Sequence, residues 1–146
     1  MKKVSALWCL LFCITVSQAQ LLSWTPDFAI DGSSTNIVVT MDASYGNKGL
    51  YNQTPVTDVY VHIGVITTKS TSPTNWQYSK FTWGTTTAAA QCSSLGSNKW
   101  SYTITGGVRT FFNITDPNEK VKKIAILFRS ANGNSVQRNT NGADMY

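Results

Sequence analysis

The longest run of β-branched and aromatic residues is Asp58-Val59-Tyr60-Val61-His62-Ile63-Gly64-Val65-Ile66, in which one parity is uniformly apolar and the other mixed, and this predicts a strand. Val59, Val61, Ile63 and Val65 fall on one face of it, Tyr60, His62 and Gly64 on the other. The first face is expected to pack on a core and the second to look outward. The same period appears in Thr35–Met41, where Ile37, Val39 and Met41 share a face, and in Lys99–Thr105, where Trp100, Tyr102 and Ile104 do. Val121–Arg129 is apolar on both faces and reads as a central strand. Leu22–Phe28 predicts a short edge strand broken by Pro26. Trp76–Trp83, closed by Gly84, predicts a further strand, bulged because Trp76 and Tyr78 share one parity and Phe81 and Trp83 the other.

Between these segments lie turn formers. Ile30–Ser34 and Asp116–Glu119 predict turns, and Asn132-Gly133 predicts a hairpin returning through Ser135–Arg138. Asp42–Pro55 predicts a crossover loop pinned by Tyr45, Leu50 and Tyr51; Thr67–Asn75 and residues 85–97 also predict loops. Val108–Ile114 predicts one helical turn, with Phe111 or Phe112 closing an end of the core. Six or seven short strands with hardly any helix predict an all-β fold, an immunoglobulin-like antiparallel β-sandwich. The chain stops at Gly142–Tyr146, which reads as a strand just begun, so a truncated domain is expected.

Composition adds a compartment. Lys2 and Lys3, the apolar run Leu7–Ile14 and the small residues Ser17 and Ala19 predict a signal peptide over residues 1–19, cleaved before Gln20. That apolar run is too short to span a bilayer. An exported mature domain over residues 20–146, secreted or at the cell surface, follows. The formal charge of +5 falls to +3 once Lys2 and Lys3 are removed, too mild a balance to imply nucleic acid. Lys120, Lys122 and Lys123 read as a solvated strand entry. Cys9 and Cys13 leave with the signal peptide, so Cys92 remains alone, without a disulfide framework or a metal cluster.

The candidate chemistry is sparse. The carboxylates Asp27, Asp31, Asp42, Asp58, Asp116, Glu119 and Asp144 all sit in predicted turns or at strand ends, where turn-forming roles suffice. The one histidine, His62, has no nucleophile elbow near it, and there are too few His and Cys for zinc. Asp42, Asn47 and Asn52 match no calcium-loop spacing. The chain by itself is read as non-catalytic, with no cofactor and no metal. The aromatics are the remaining lead, because sugar rings stack on Trp and Tyr while their hydroxyls seek polar partners. If the His62 and Trp76 segments pair, Tyr60, His62, Trp76 and Tyr78 form an exposed platform with Lys80 at its rim. In the alternative, Trp76 and Tyr78 are core, Phe81 and Trp83 are half exposed, and His62 is a satisfied structural histidine.

Trp24-Thr25-Pro26, the segment Asp58–Thr67, Asn75-Trp76-Gln77-Tyr78, Thr82-Trp83-Gly84 and Ile124–Gly133 together resemble a known module. The order is similar to the amino-terminal β-sandwich domain of secreted bacterial α-amylase-type enzymes, glycoside hydrolase family thirteen. Its most specific piece is Tyr-x-His-x-Gly followed by Trp-x-Tyr and Trp-Gly. The resemblance spans nearly all of the mature chain. It implies a non-catalytic accessory domain placed before a catalytic barrel, with starch-like α-glucan as the substrate class of the parent protein. It carries over no catalytic residue. Two other readings stay open: a stand-alone surface or adhesion module binding another protein through a sheet edge or face, and a structural spacer.

Overall fold

A computed structural model describes residues 20–53 and 58–146; the expected signal peptide lies outside the described residues. The alternation at Ile37, Val39 and Met41 becomes strand β2 (Ile37–Asp42), in which these three residues are buried and their neighbours half-buried. β2 pairs antiparallel with β1 (Leu22–Thr25) on one side and with β5 (Lys99–Ile104) on the other. Trp100, Tyr102 and Ile104 of β5 are buried, as their parity requires. β4 (Ser93–Gly96) completes this sheet in the order β1-β2-β5-β4. It falls within a segment whose small polar residues read as a loop, and every residue of it is exposed.

The second sheet has the order β3-β6-β7, from β3 (Val59–Thr67), β6 (Val121–Ser130) and β7 (Val136–Gln137). All its pairings are antiparallel, with Ile63 opposite Ile126 and His62 opposite Leu127. Val61, Ile63, Val65, Ile126 and Phe128 join Val39, Met41, Trp100 and Ile104 of the first sheet in one hydrophobic cluster. The helical turn predicted near Val108 is α1 (Gly107–Phe112), which buries Val108 and Phe112 in that cluster. The described chain is thus two antiparallel sheets of seven strands with almost no helix. Among the described residues no helix is long and apolar enough to cross a membrane.

Three expectations change. Trp76–Trp83 is not a strand. One residue of it, Gln77, bridges Val65 through backbone bonds of 2.7 and 2.9 Å, and Lys80 N–H donates to Ile63 C=O. Between these contacts Tyr78 takes φ +53°, a left-handed conformation that breaks any strand alternation. The outward face of β3 is also mostly buried, because this irregular segment and a 3-10 turn at Ala88–Ala90 run beside it. Finally, Tyr45 and Tyr51 stay exposed, and of the three residues expected to pin the loop it is Leu50 that enters the core. The loop is held instead by Gln137, fully buried on β7, which accepts from Leu50 N–H and donates to Tyr45 C=O.

Candidate functional site

Strand parity places Tyr60, His62 and Gly64 on the face of β3 turned away from the inter-sheet core, opposite Arg129, Leu127 and Ala125 of β6. Glycine at position 64 has a definite use. A Cβ there would come within 3.0 Å of Gln77 O and 3.2 Å of Trp76 Cε3. Its absence lets the Trp76 segment lie directly on β3. Trp76 then stacks on His62, with ring centroids 5.4 Å apart and planes at 21°. Trp83 meets the same imidazole edge-on at 5.1 Å and 82°. Its indole rests on Gly133 of the β6–β7 turn, where a Cβ would lie 2.7 Å from Trp83 Nε1. Such aromatic contacts contribute about 0.5–1.5 kcal/mol each beyond their buried area.

These rings and Leu127 line a shallow cleft of about 340 Å³. Its polar rim is Thr74, Arg138 and Asp144. Trp76 Nε1–H donates to Asp144 Oδ2 at 3.0 Å, and Arg138 Nη1 donates to Asp144 Oδ1 at 2.6 Å. Asp144 is the one carboxylate lining the cleft, and both its oxygens are engaged. It is a fixed acceptor that holds Trp76 and Arg138 in place. Among the described residues His62 Nδ1 is buried without a partner. Burial holds the His62 pKa below its ordinary 6.5; Phe81's backbone opposes the shift and the Arg129 cation adds to it. The imidazole is therefore neutral at pH 7, a flat aromatic surface with one free nitrogen.

Arg129 supports the site from beneath. It is fully buried, with its guanidinium 5.5 Å from the Tyr60 ring centroid and 5.7 Å from that of Trp83. Its Nη atoms donate to the carbonyls of Ser130, Ala131 and Thr85. The Thr85 bond ties the segment after Trp83 to the end of β6. A desolvated cation against aromatic faces is worth about 2 kcal/mol per pair.

The four residues singled out from sequence therefore separate. His62 and Trp76 meet in the cleft. Tyr60 lies outside the cleft lining, 8% exposed, with the Arg129 guanidinium near both its ring and that of Trp83. Tyr78 points elsewhere: its hydroxyl donates to Glu119 Oε2 at 2.7 Å. The expected four-ring platform does not form, because the left-handed Tyr78 sends consecutive aromatics to different surfaces. Lys80 is not at the cleft rim either; its Nζ donates to Phe111 C=O. Sequence reasoning missed Trp83, Arg138, Asp144 and Thr74 as partners of His62. Trp83-Gly84 and Asn132-Gly133 were visible as separate motifs, but nothing in the order of residues joined them.

Glu119 follows the expected turn but does more than form it. It is 1% exposed and accepts from Thr67 Oγ1 at 2.6 Å and from Tyr78 OH, with Lys69 Nζ at 3.1 Å. The Thr67 hydroxyl, then the Tyr78 hydroxyl and the Lys69 ammonium, hold its carboxyl below the ordinary 4.5. Cys92 is partly buried, with no disulfide partner among the described residues, and burial pushes its thiol pKa up, the opposite of an activated nucleophile. No protein-family model and no curated protein matches this chain.

Proposed function

We propose that this chain is a non-catalytic, exported accessory domain, an immunoglobulin-like sandwich that offers the His62–Trp76–Trp83 cleft to a polysaccharide. One observation carries the reading: two indoles and a neutral imidazole converge on a cleft of about 340 Å³, rimmed by a fixed Arg138–Asp144 pair. Aromatic faces suit the C–H faces of a sugar, and the remaining N–H groups of Arg138 and the Thr74 hydroxyl suit its hydroxyls. Arg138 is already neutralised by Asp144, which favours an uncharged sugar over a uronate. The choice of α-glucan, and of a starch-degrading parent with a separate catalytic barrel, rests on the sequence resemblance alone. Export rests on the leader pattern of residues 1–19.

Affinity electrophoresis of the mature chain in gels holding amylose, amylopectin and unrelated glycans tests this. Retardation is expected in an α-glucan gel, and no retardation in any gel refutes the sugar reading. Trp83→Ala is the informative variant, because Trp83 is 41% exposed while Trp76 is pinned between Gly64 and Asp144. Trp83→Ala should abolish retention. Tyr78→Phe, which leaves the cleft intact, should not change it.

A further inference from the structure

The rings of the cleft do not form one plane. His62 lies within 21° of parallel to Trp76 and meets Trp83 at 82°, so the two indole planes differ by at least the difference between those angles, 61°. Together they make a corner. His62 is taken up inside it, stacked with one indole and met edge-on by the other. Trp76 is half-buried, with Cε3 close over Gly64 and its Nε1–H bonded to Asp144. Trp83 is the exposed indole of the pair.

Such a corner offers one stacking position. A glycan that stacks several consecutive sugars needs several aromatic faces turned the same way. Here a sugar laid on one indole meets the other with its rim. The remaining nearby aromatics extend no platform. Tyr60 is buried outside the lining, and Tyr78 is tied to Glu119. Tyr146 reaches the rim, its hydroxyl donating to Pro73 C=O beside Thr74. Its ring, however, lines a separate groove with Trp24 and Phe28, and Lys123 Nζ lies 4.6 Å from its centroid. The polar rim is equally short. Both Asp144 oxygens are engaged, so Arg138 and Thr74 supply the open hydrogen-bonding groups. A volume of about 340 Å³ also sits at the small end of ligand sites, which span about 300–1,000 Å³.

We propose that the cleft is a single-ring subsite, holding one sugar residue in the corner between Trp83 and Trp76 while its neighbours in the same glycan lie in solvent. This rests on the sugar reading above and narrows it. The ligand class is then the individual pyranose ring, free or within a chain, and not an extended or crystalline stretch of polysaccharide. Long glycans bind better only because they present more rings.

The test is an NMR titration of the ¹⁵N-labelled mature chain with methyl α-glucopyranoside, maltose and maltoheptaose. A parallel series uses methyl β-glucopyranoside, cellobiose and cellohexaose. The indole N–H signals of Trp76 and Trp83 report on the cleft; those of Trp24 and Trp100 should stay still. Within a series that binds, dissociation constants counted per sugar ring should agree within about threefold. Each additional stacked ring would instead tighten binding by up to about tenfold. A per-ring gain of more than about threefold from the methyl glycoside to the longer sugars overturns the single-ring subsite and leaves the sugar reading standing. No shift with any of these sugars overturns both. Trp83→Ala should remove the Trp76 shift for every sugar, with the buried Trp100 indole signal unchanged as the check on folding. Sugar-induced shifts that persist in that variant remove the corner as the site.

Discussion

Replacing Gly64 with alanine tests whether the Trp76 segment lies on β3. The added methyl meets Gln77 O at 3.0 Å, Trp76 Cε3 at 3.2 Å and Ser79 Oγ at 3.4 Å. Of these, Gln77 O is backbone and is fixed by its bond to Val65 N–H, so it cannot move without loosening that bridge. Overpacking of this kind costs about 1–3 kcal/mol. Removing glycine from a strand returns about 0.5–1 kcal/mol through the unfolded state. The net loss is about 1 kcal/mol, which lowers the melting temperature by about 4 °C for a domain of this size. Urea unfolding and thermal circular dichroism measure it, and glycan retention should fall in parallel because Trp76 is displaced. A variant as stable as the natural chain, or more so, refutes the close approach. It would mean that nothing rests on Gly64, and that the stacking of Trp76 on His62 is wrong with it.

Arg129→Leu should destabilise the chain by about 3 kcal/mol in urea unfolding, since it removes a buried guanidinium's hydrogen bonds to the carbonyls of Ser130, Ala131 and Thr85 and its contacts with the Tyr60 and Trp83 rings. His62, the only histidine, should titrate by proton NMR with a midpoint below 6.5, and the midpoint should rise in Arg129→Leu, which lacks the repelling cation. Because the folded pKa is the depressed one, this group's contribution to stability is full above pH 6.5 and is lost as pH falls from there through the folded value. Glu119 has the same sign lower down: its contribution is complete above pH 4.5 and disappears as pH falls through its depressed folded value. Thr67→Val removes the main cause of that depression and should move the acid unfolding midpoint to higher pH, read by circular dichroism.

Strand positions and the core face were legible in the sequence because period two is a local property. Ile37, Val39 and Met41, or Trp100, Tyr102 and Ile104, declare their common face within six residues, and the inter-sheet core follows from them. His62 and Trp76 were legible as aromatics of the right kind. What joins them was not. The cleft depends on contacts of high sequence separation: Trp76 with Asp144, Trp83 with Gly133, Arg129 with Thr85. It depends equally on one residue, Tyr78, adopting a backbone conformation that its side chain disfavours, so that a run of aromatics reading as one strand divides between two surfaces. Alternation fixes which way a side chain points relative to its own strand. Only tertiary packing decides what it meets there, because that partner is chosen by the whole chain closing on itself.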